Sequence, residues 1–338
     1  MLTFVFSVLI FGLLIGVHEA GHLIAAKKCG VLVHEFSIGM GPKLFSFTKG
    51  DTLYSLRLIP IGGFCNMEGE DGESDSARAF CNKHPIKKII ILVSGAIMNI
   101  LLGFLALCIM FSFAEVLPTA VVESVNPNAP AYSQGLKQGD RILKVNGKRI
   151  LVKTDIDTQL YFSQNNNIVL TVERDGKTVN LPISLYEDNG SRMIGITLKQ
   201  ENNSFIRLIG FSFRYMLSIC STVLSTLGML ITGAISFKET SGPVGIVTVI
   251  GQAASGAINR DMLLNILNIT SLITINLGMF NLIPLPALDG GRTVFALVEL
   301  ITRKKVPVKI EAFVHSFGML LLLTLMVFVT YNDVLRLL

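Results

Sequence analysis

The chain has 338 residues, of which 51% are hydrophobic and 16% are charged, and its formal net charge is +5. Its mean hydropathy of +0.59 is too high for an ordinary soluble domain and too low for a bundle of membrane spans alone. A membrane protein with a soluble insert fits both values, so the bilayer is an expected partner. The absence of a basic stripe excludes an evident nucleic-acid surface, and five scattered cysteines without a CxxC pair argue against a disulfide framework.

Four apolar segments are predicted to cross the membrane as helices, because each approaches or exceeds the roughly 20 residues that a crossing needs. They are residues 1–26, 89–114, 264–291 and 312–332. The first lacks the basic leading region and small-residue cleavage site of a signal peptide, so we expect it to stay in the protein. Segment 205–237 is also apolar but contains Arg207 and Arg214, and we expect an amphipathic helix on the membrane surface.

Two polar regions separate these spans. Region 27–88 is predicted to form a β-hairpin loop from four short strand-forming runs, each ended by glycine or proline. These runs are Val33–Ile38, Leu44–Phe47, Thr52–Ile59 and Phe64–Met67. Region 115–200 is charged, has Asn-Gly and Asp-Gly turns, and is long enough for a small independent α+β domain. Lysine and arginine are frequent in 27–88 and in 292–309, which predicts that both lie in the cytoplasm and that 115–200 and the N-terminus lie outside.

The first span contains the sequence His18-Glu19-Ala20-Gly21-His22. On a helix, His-Glu-x-x-His places two imidazoles one turn apart on the same face, where they can share a zinc ion while the glutamate activates a water. Ionisable residues within an apolar span are expensive and are functional by default. The competing interpretation is a helix end that reaches the polar headgroups.

A catalytic zinc normally has a third protein ligand. Asp289 is the candidate, because it follows Pro284 and Pro286, which break an apolar helix and free backbone groups at membrane depth. The alternative is that Asp289 caps the next helix at an ordinary cytoplasmic turn.

Together, HEAGH in the first span and NLIPLPALDGG near the end resemble the bacterial site-2 protease family, the RseP-like regulated intramembrane metalloproteases. Gly95 and Asn99 match the family's G-x-x-x-N in the second span, and Ser241–Gly245 matches a segment before the third. Gly135–Gly147 looks like the characteristic stretch of a PDZ domain. The resemblance covers nearly the whole length and implies one PDZ-like domain.

The resemblance implies a polytopic α-helical membrane protein with about four transmembrane helices, a cytoplasmic-side β-hairpin loop and an inserted extracytoplasmic PDZ-like α+β domain. It implies that Zn²⁺ is the cofactor and that Glu19 is the general base. The expected ligands are His18, His22 and Asp289, and the expected substrate-binding residues are Asn281, Pro284, Pro286 and Asn99. Single-span membrane proteins previously cut by a first protease are the expected substrates, in a bacterial inner membrane, with the active site near the cytoplasmic side.

Two other functions remain open from the residues alone. A membrane-anchored PDZ adaptor would leave the HEAGH motif idle, and a metal transporter would need repeated intramembrane carboxylates that the sequence lacks. Strand-forming residues in Thr52–Met67 are expected to offer an edge on which an extended substrate pairs. His34 and His84 are expected to be solvated, His315 to be a packed or interfacial residue, and Cys29 not to bind zinc.

Overall fold

A computed structural model describes residues 2–70, 72–163, 165–188, 191–234, 242–255 and 259–337 of the chain. Residue Ser241 of the segment before the third predicted span, and positions 235–237 at the end of the predicted surface helix, lie outside these ranges. Clustering of contacts divides the chain into one unit of residues 1–106 with 223–338 and a second unit of residues 107–222.

Helices make up most of the first unit. In chain order, the helices of the described residues are α1 (Leu2–Lys28), α2 (Pro85–Ser112), α3 (Pro130–Ser133), α4 (Lys153–Phe162), α5 (Phe205–Ile231), α6 (Pro243–Ala253), α7 (Arg260–Leu282), α8 (Asp289–Thr302) and α9 (Val308–Leu337). The strands are β1 (Val33–Lys49), β2 (Thr52–Met67), β3 (Val116–Val125), β4 (Arg141–Val145), β5 (Lys148–Arg149), β6 (Asn167–Arg174), β7 (Lys177–Ser184), β8 (Tyr186–Asp188), β9 (Ser191–Met193) and β10 (Ile196–Asn202).

Five of these helices, α1, α2, α5, α7 and α9, are long and apolar enough to cross a membrane. Each of the four predicted spans coincides with one of them, and the fifth, α5, lies in the segment for which we expect a surface helix. The predicted span 264–291 is shorter than expected, because α7 ends at Leu282 and a new helix begins at Asp289. The prolines between them have no N–H to continue a helical ladder.

Glycines let the helices around α1 approach closely. A Cβ atom on Gly21 would lie 2.6 Å from the Ser94 carbonyl oxygen of α2, and one on Gly278 of α7 would lie 2.7 Å from the Ala96 carbonyl oxygen. Small residues at such contacts are the usual basis of helix packing in membranes, where burial of apolar surface supplies little attraction between helices. The α1–α2–α7 contacts therefore fix the backbone that carries the HEAGH motif.

The β1–β2 hairpin folds back on itself so that two strand segments, residues 35–38 and 53–56, are each paired on both sides. Phe36 pairs with both Cys65 and Tyr54, and Tyr54 pairs in turn with Phe47. All four strand-forming runs predicted from the sequence therefore take part in pairing. Residues 53–56 are interior to this arrangement, whereas residues 63–67 pair only with β1 among the described residues and form an edge.

The second unit contains a six-stranded sheet in the order β10-β3-β4-β6-β7, with β5 paired to β4. Its core is formed by alternating aliphatic residues of these strands, including Ile142, Leu170 and Ile183. Asp140, at the start of β4, is bound by Arg174 at 2.7 Å and accepts from the Lys137 amide. Burial alone would raise the pKa of Asp140, but these hydrogen bonds outweigh it and hold the pKa below its usual range.

Candidate metal centre

Helix α1 presents two imidazoles to the same point. His18 and His22 are one turn apart, and their Nε2 atoms are separated by 3.2 Å. This spacing follows from the helical repeat, which places residues i and i+4 on one face. The Nδ1 atom of His22 lies 2.9 Å from the Ile91 carbonyl oxygen of α2. Because a carbonyl only accepts, Nδ1 carries the proton and the Nε2 lone pair is left for a metal.

Asp289 completes the cluster from the opposite end of the chain. Its Oδ2 atom lies 3.1 Å from His18 Nε2 and 3.3 Å from His22 Nε2. Asp289 is the first residue of α8, and the N-cap is Leu288, whose side chain makes no capping bond. Asp289 therefore points at the two histidines and is not the helix cap of the competing interpretation.

The three atoms fit a tetrahedral zinc ion. Zn–N and Zn–O bonds of about 2.0–2.2 Å place neighbouring tetrahedral ligands roughly 3.3–3.5 Å apart, close to the separations of 3.1–3.3 Å found here. Two imidazoles and a carboxylate also match the donor set of catalytic zinc sites, which keep a fourth position for water or substrate. Among the described residues, this is the group of three or more histidine, cysteine or acidic side chains able to hold an ion.

Helix α2 shapes the space around the ligands. A Cβ atom on Gly95 would lie 2.4 Å from His22 Nε2 and 2.8 Å from His18 Cε1. Asn99, one turn further along α2, is fully buried, and its amide lies 3.4 Å from His18 Nδ1. The G-x-x-x-N pattern therefore faces the histidines, with the glycine making room and the asparagine contacting one ring.

Glu19 lies beside the cluster and against the hairpin edge. The backbone N–H of Cys65 in β2 faces its carboxylate. A Cβ atom on Gly63 would approach Glu19 Cγ to 3.3 Å and the Ser37 carbonyl oxygen to 2.9 Å, so the edge strand is packed closely on this side chain. The edge of β2 therefore runs directly past the candidate general base.

The turn between α7 and α8 carries the other predicted site residues. Asn281 and Pro286 are half-buried and Pro284 is exposed. Ala287 has a φ of 74°, in the left-handed region, and its N–H donates to His315 Nδ1 at 2.9 Å. The sequence predicted a packed or interfacial position for His315. A histidine within an apolar span was the signal that could have singled it out.

An open cavity of about 1360 Å³ leads to the three candidate ligands and Glu19. Its wall includes two ion pairs that link α8 to earlier parts of the chain: Lys88 with Glu299 at 2.7 Å and Arg292 with Glu70 at 2.5 Å. Sequence reasoning did not identify these pairs, because more than 200 residues separate each pair along the chain. The cavity gives water a polar route to the cluster.

The remaining histidines and Cys29 lie outside the cluster. His34 is half-exposed and pairs with Glu68 at 2.6 Å. His84 accepts a hydrogen bond from the Ile86 amide near the start of α2. All five cysteines are free thiols, and Cys29 is half-buried after the end of α1. None of these residues belongs to the group able to hold an ion among the described residues.

Comparisons with known proteins agree with this geometry. The family model described as peptidase family M50 matches residues 6–325. A protein of Clostridium perfringens named "Putative zinc metalloprotease" is 37% identical over 98% of both chains. Proteins with the same descriptive name from Fusobacterium nucleatum and Staphylococcus aureus are 36% and 28% identical, each over 99% of both chains.

Proposed function

The chain belongs to peptidase family M50 and is a zinc metalloprotease of the membrane, and we propose that it cuts peptide bonds within the transmembrane segments of single-span proteins. The observation that carries this proposal is the meeting of His18, His22 and Asp289 beside Glu19. Two of the candidate ligands lie in a helix apolar enough to span a bilayer. A protease with its ligands at that depth is suited to bonds in the membrane.

The proposed roles follow from the contacts. His18, His22 and Asp289 would hold zinc through Nε2, Nε2 and Oδ2. When bound, zinc supplies Lewis-acid activation of the attacking water and of the scissile carbonyl. Glu19 accepts a proton from the water as it attacks and then passes it to the departing amine nitrogen.

Asn99 is better suited to orienting His18 than to binding substrate. It has no exposed surface, and its amide faces the His18 nitrogen that points away from the other ligand atoms. With its oxygen turned toward Nδ1–H, the amide would keep Nε2 free for the metal, as partners behind metal-binding histidines commonly do. Asn281, Pro284 and Pro286 remain proposed substrate contacts, because they line the broken backbone next to Asp289.

The assembled cluster supports a topology in which α5 does not cross the membrane. Asp289 must lie at the depth of His18 and His22, near the end of α1, and α7 leads directly to it. The start of α7 is then on the opposite side of the membrane. At 1.5 Å per residue, the 11 residues of α6 span roughly 17 Å, which is too short for a bilayer core of about 30 Å.

The beginning of α6 therefore lies on the side away from the cluster. The end of α2 lies on the same side, because His22 contacts Ile91 and His18 contacts Asn99, so that α2 runs antiparallel to α1. Both ends of α5 then share this side, and α5 lies along the surface although its composition would permit a crossing. Asp333, near the end of α9, accepts from the amides of Gly242 and Gly245 at 3.1 Å and 2.8 Å, which fits the same side for these segments. The lysine and arginine distribution predicts that this side is the outside of the membrane, and we propose that the membrane is a bacterial inner membrane.

An outside location suits the domain of residues 116–202, which we propose is PDZ-like. The stretch Gly135–Gly147 leads into β4 through a turn held by Asp140. A domain of this kind would either bind C-termini that a first protease exposes or exclude proteins whose outside domains are still attached. Both roles favour substrates that have already been cut once.

The edge of the hairpin is the proposed docking strand for an unwound substrate. Residues 63–67 pair only with β1 among the described residues, and the Cys65 amide is directed at Glu19. A helical peptide bond is shielded by its own hydrogen bonds, so the substrate must become extended before attack. Strand addition replaces those hydrogen bonds while holding the chain beside the base. Residues 53–56 cannot serve, because they are paired on both sides.

Photo-crosslinking tests this docking strand. With p-benzoylphenylalanine in place of Asn66, we expect crosslinks to a model single-span substrate within a few residues of its cleavage site. The same amino acid in place of Ser46, which is exposed on the opposite edge strand, should give few such crosslinks. Equal crosslinking from both positions, or crosslinks confined to position 46, would overturn the assignment of the docking edge.

Removal of the metal tests the proposed function itself. The purified full-length protein in detergent should cut a model single-span substrate inside its transmembrane segment, as located by mass spectrometry. Chelation should abolish cleavage, and one equivalent of zinc should restore it. Asp289→Ala should weaken zinc binding by on the order of 100-fold or more, since it removes a ligand outright. Cleavage that persists without zinc, or a cut confined to soluble segments, would contradict the proposal.

A further inference from the structure

The turn that delivers Asp289 to the cluster contains a residue in an unfavourable backbone conformation. Ala287 has a φ of 74°, which an L-residue with a Cβ atom rarely adopts. Such a backbone conformation persists only where surrounding contacts maintain it, and residues that adopt it are frequent at functional sites. Asp289 follows two residues later, so the conformation of Ala287 sets the direction from which its carboxylate approaches the histidines.

Helix α9 supplies the contacts that hold this turn. The Ala287 N–H donates to His315 Nδ1 at 2.9 Å. The His315 ring is packed by Phe295 of α8, with ring centroids 5.7 Å apart. One turn along α9, a Cβ atom on Gly318 would lie 2.3 Å from Pro286 Cβ, so the helix backbone sits directly against the turn.

We propose that His315 is a positioning residue for the metal centre, which holds Ala287 in the left-handed conformation and thereby keeps Asp289 in reach of His18 and His22. An imidazole suits this task, because in its neutral form one nitrogen accepts the amide proton while a planar ring fills the space beside Phe295. The inference rests on the proposed role of Asp289 as a zinc ligand.

A double substitution separates this role from others. His315 also lines the cavity, where it could instead contact a substrate directly. Glycine adopts positive φ without a steric penalty. If His315 acts by restraining Ala287, then Ala287→Gly should reduce the damage caused by His315→Ala. If His315 acts on the substrate, the glycine should make no difference to that damage.

The measurement is the zinc dissociation constant of the full-length protein, obtained by competition with a chelator, together with the visible spectrum of the Co²⁺-substituted form. We expect His315→Ala to weaken zinc binding roughly 10- to 100-fold, the usual effect of losing a residue that orients a ligand. We expect the double variant to bind within about threefold of Ala287→Gly alone, with the tetrahedral cobalt spectrum restored.

Thr324→Ala is the matched control on α9, since Thr324 is exposed and its hydroxyl donates to the Leu320 carbonyl oxygen of the same helix. It should bind zinc as the wild type does. Unchanged zinc affinity in His315→Ala, or a double variant as weak as His315→Ala, would overturn the inference. Failure of the wild-type protein to bind zinc would instead overturn the proposed function, so the two failures are distinguishable.

Discussion

Glu19→Gln should reduce cleavage of a membrane substrate by on the order of 100- to 10,000-fold, the range expected for loss of a general acid–base group. The amide has nearly the shape of the carboxylate, and its oxygen can still face the Cys65 N–H. It cannot take a proton from the attacking water, which is the role proposed for Glu19. The three candidate zinc ligands are untouched, so metal content should stay at the wild-type level.

The same substitution discriminates the three functions left open by the sequence. In a protease, Glu19→Gln abolishes turnover but leaves zinc bound. In an adaptor it does not affect function, and in a transporter it reduces transport only slightly. Cleavage assays on the purified protein and metal analysis of the same samples give both readouts. A decrease of less than tenfold, with zinc retained, would remove Glu19 from the role of general base. Loss of zinc would show that Glu19 supports the metal instead.

The residues of the cluster could be predicted because short sequence patterns indicate the local structure around each of them. A helix that repeats every 3.6 residues must place His18 and His22 on one face. Two prolines must interrupt α7 before Asp289. No local pattern indicates that Asp289 lies close to the histidines. That prediction followed from the requirement of a catalytic zinc ion for a third protein ligand. In the structure, the ligand atoms of the three side chains lie within 4.8 Å of one another.

The strands of the hairpin could be predicted from the sequence, but the register in which they pair could not. Glycine and proline positions delimit the four strand-forming runs, whereas the double pairing of Phe36 depends on how β2 folds back across β1. A shift of register changes which residues form an edge. The sequence could therefore indicate that Thr52–Met67 offers a docking strand, and only the pairing limits that strand to residues 63–67.

Contacts between residues that are distant in the chain could not be predicted from the sequence for a related reason. His315 lies near the start of an apolar span, where a single polar residue is compatible with packing, with an interface or with a functional contact. Its bond to Ala287 joins residues that are 28 positions apart and depends on how α9 lies on the turn. The value of φ at Ala287 could not be foreseen either, since alanine has no preference for the left-handed region.

Gly95 shows how the packing of α2 supports the metal centre, and Gly95→Ala should abolish most zinc binding. The added methyl group would lie 2.4 Å from His22 Nε2, the atom proposed to hold the metal. The backbone of α2 has little freedom to retreat, because Gly21 of α1 already lies against Ser94 and Gly95. The histidine rings must therefore move, and we expect zinc affinity to fall by on the order of 100-fold or more.

The control is Gly228→Ala in α5, where a Cβ atom would have no neighbour within 4 Å among the residues that the structure describes. It should leave zinc affinity unchanged, and it should not destabilise the helix, since alanine favours helix by about 1 kcal/mol over glycine. Metal-free Gly95→Ala should still fold, because rotation of the imidazoles relieves the clash, and thermal unfolding in the presence of a chelator measures this. If Gly95→Ala binds zinc as tightly as the wild type, the histidines do not hold the metal through Nε2 in the arrangement described, and the G-x-x-x-N pattern serves helix packing alone.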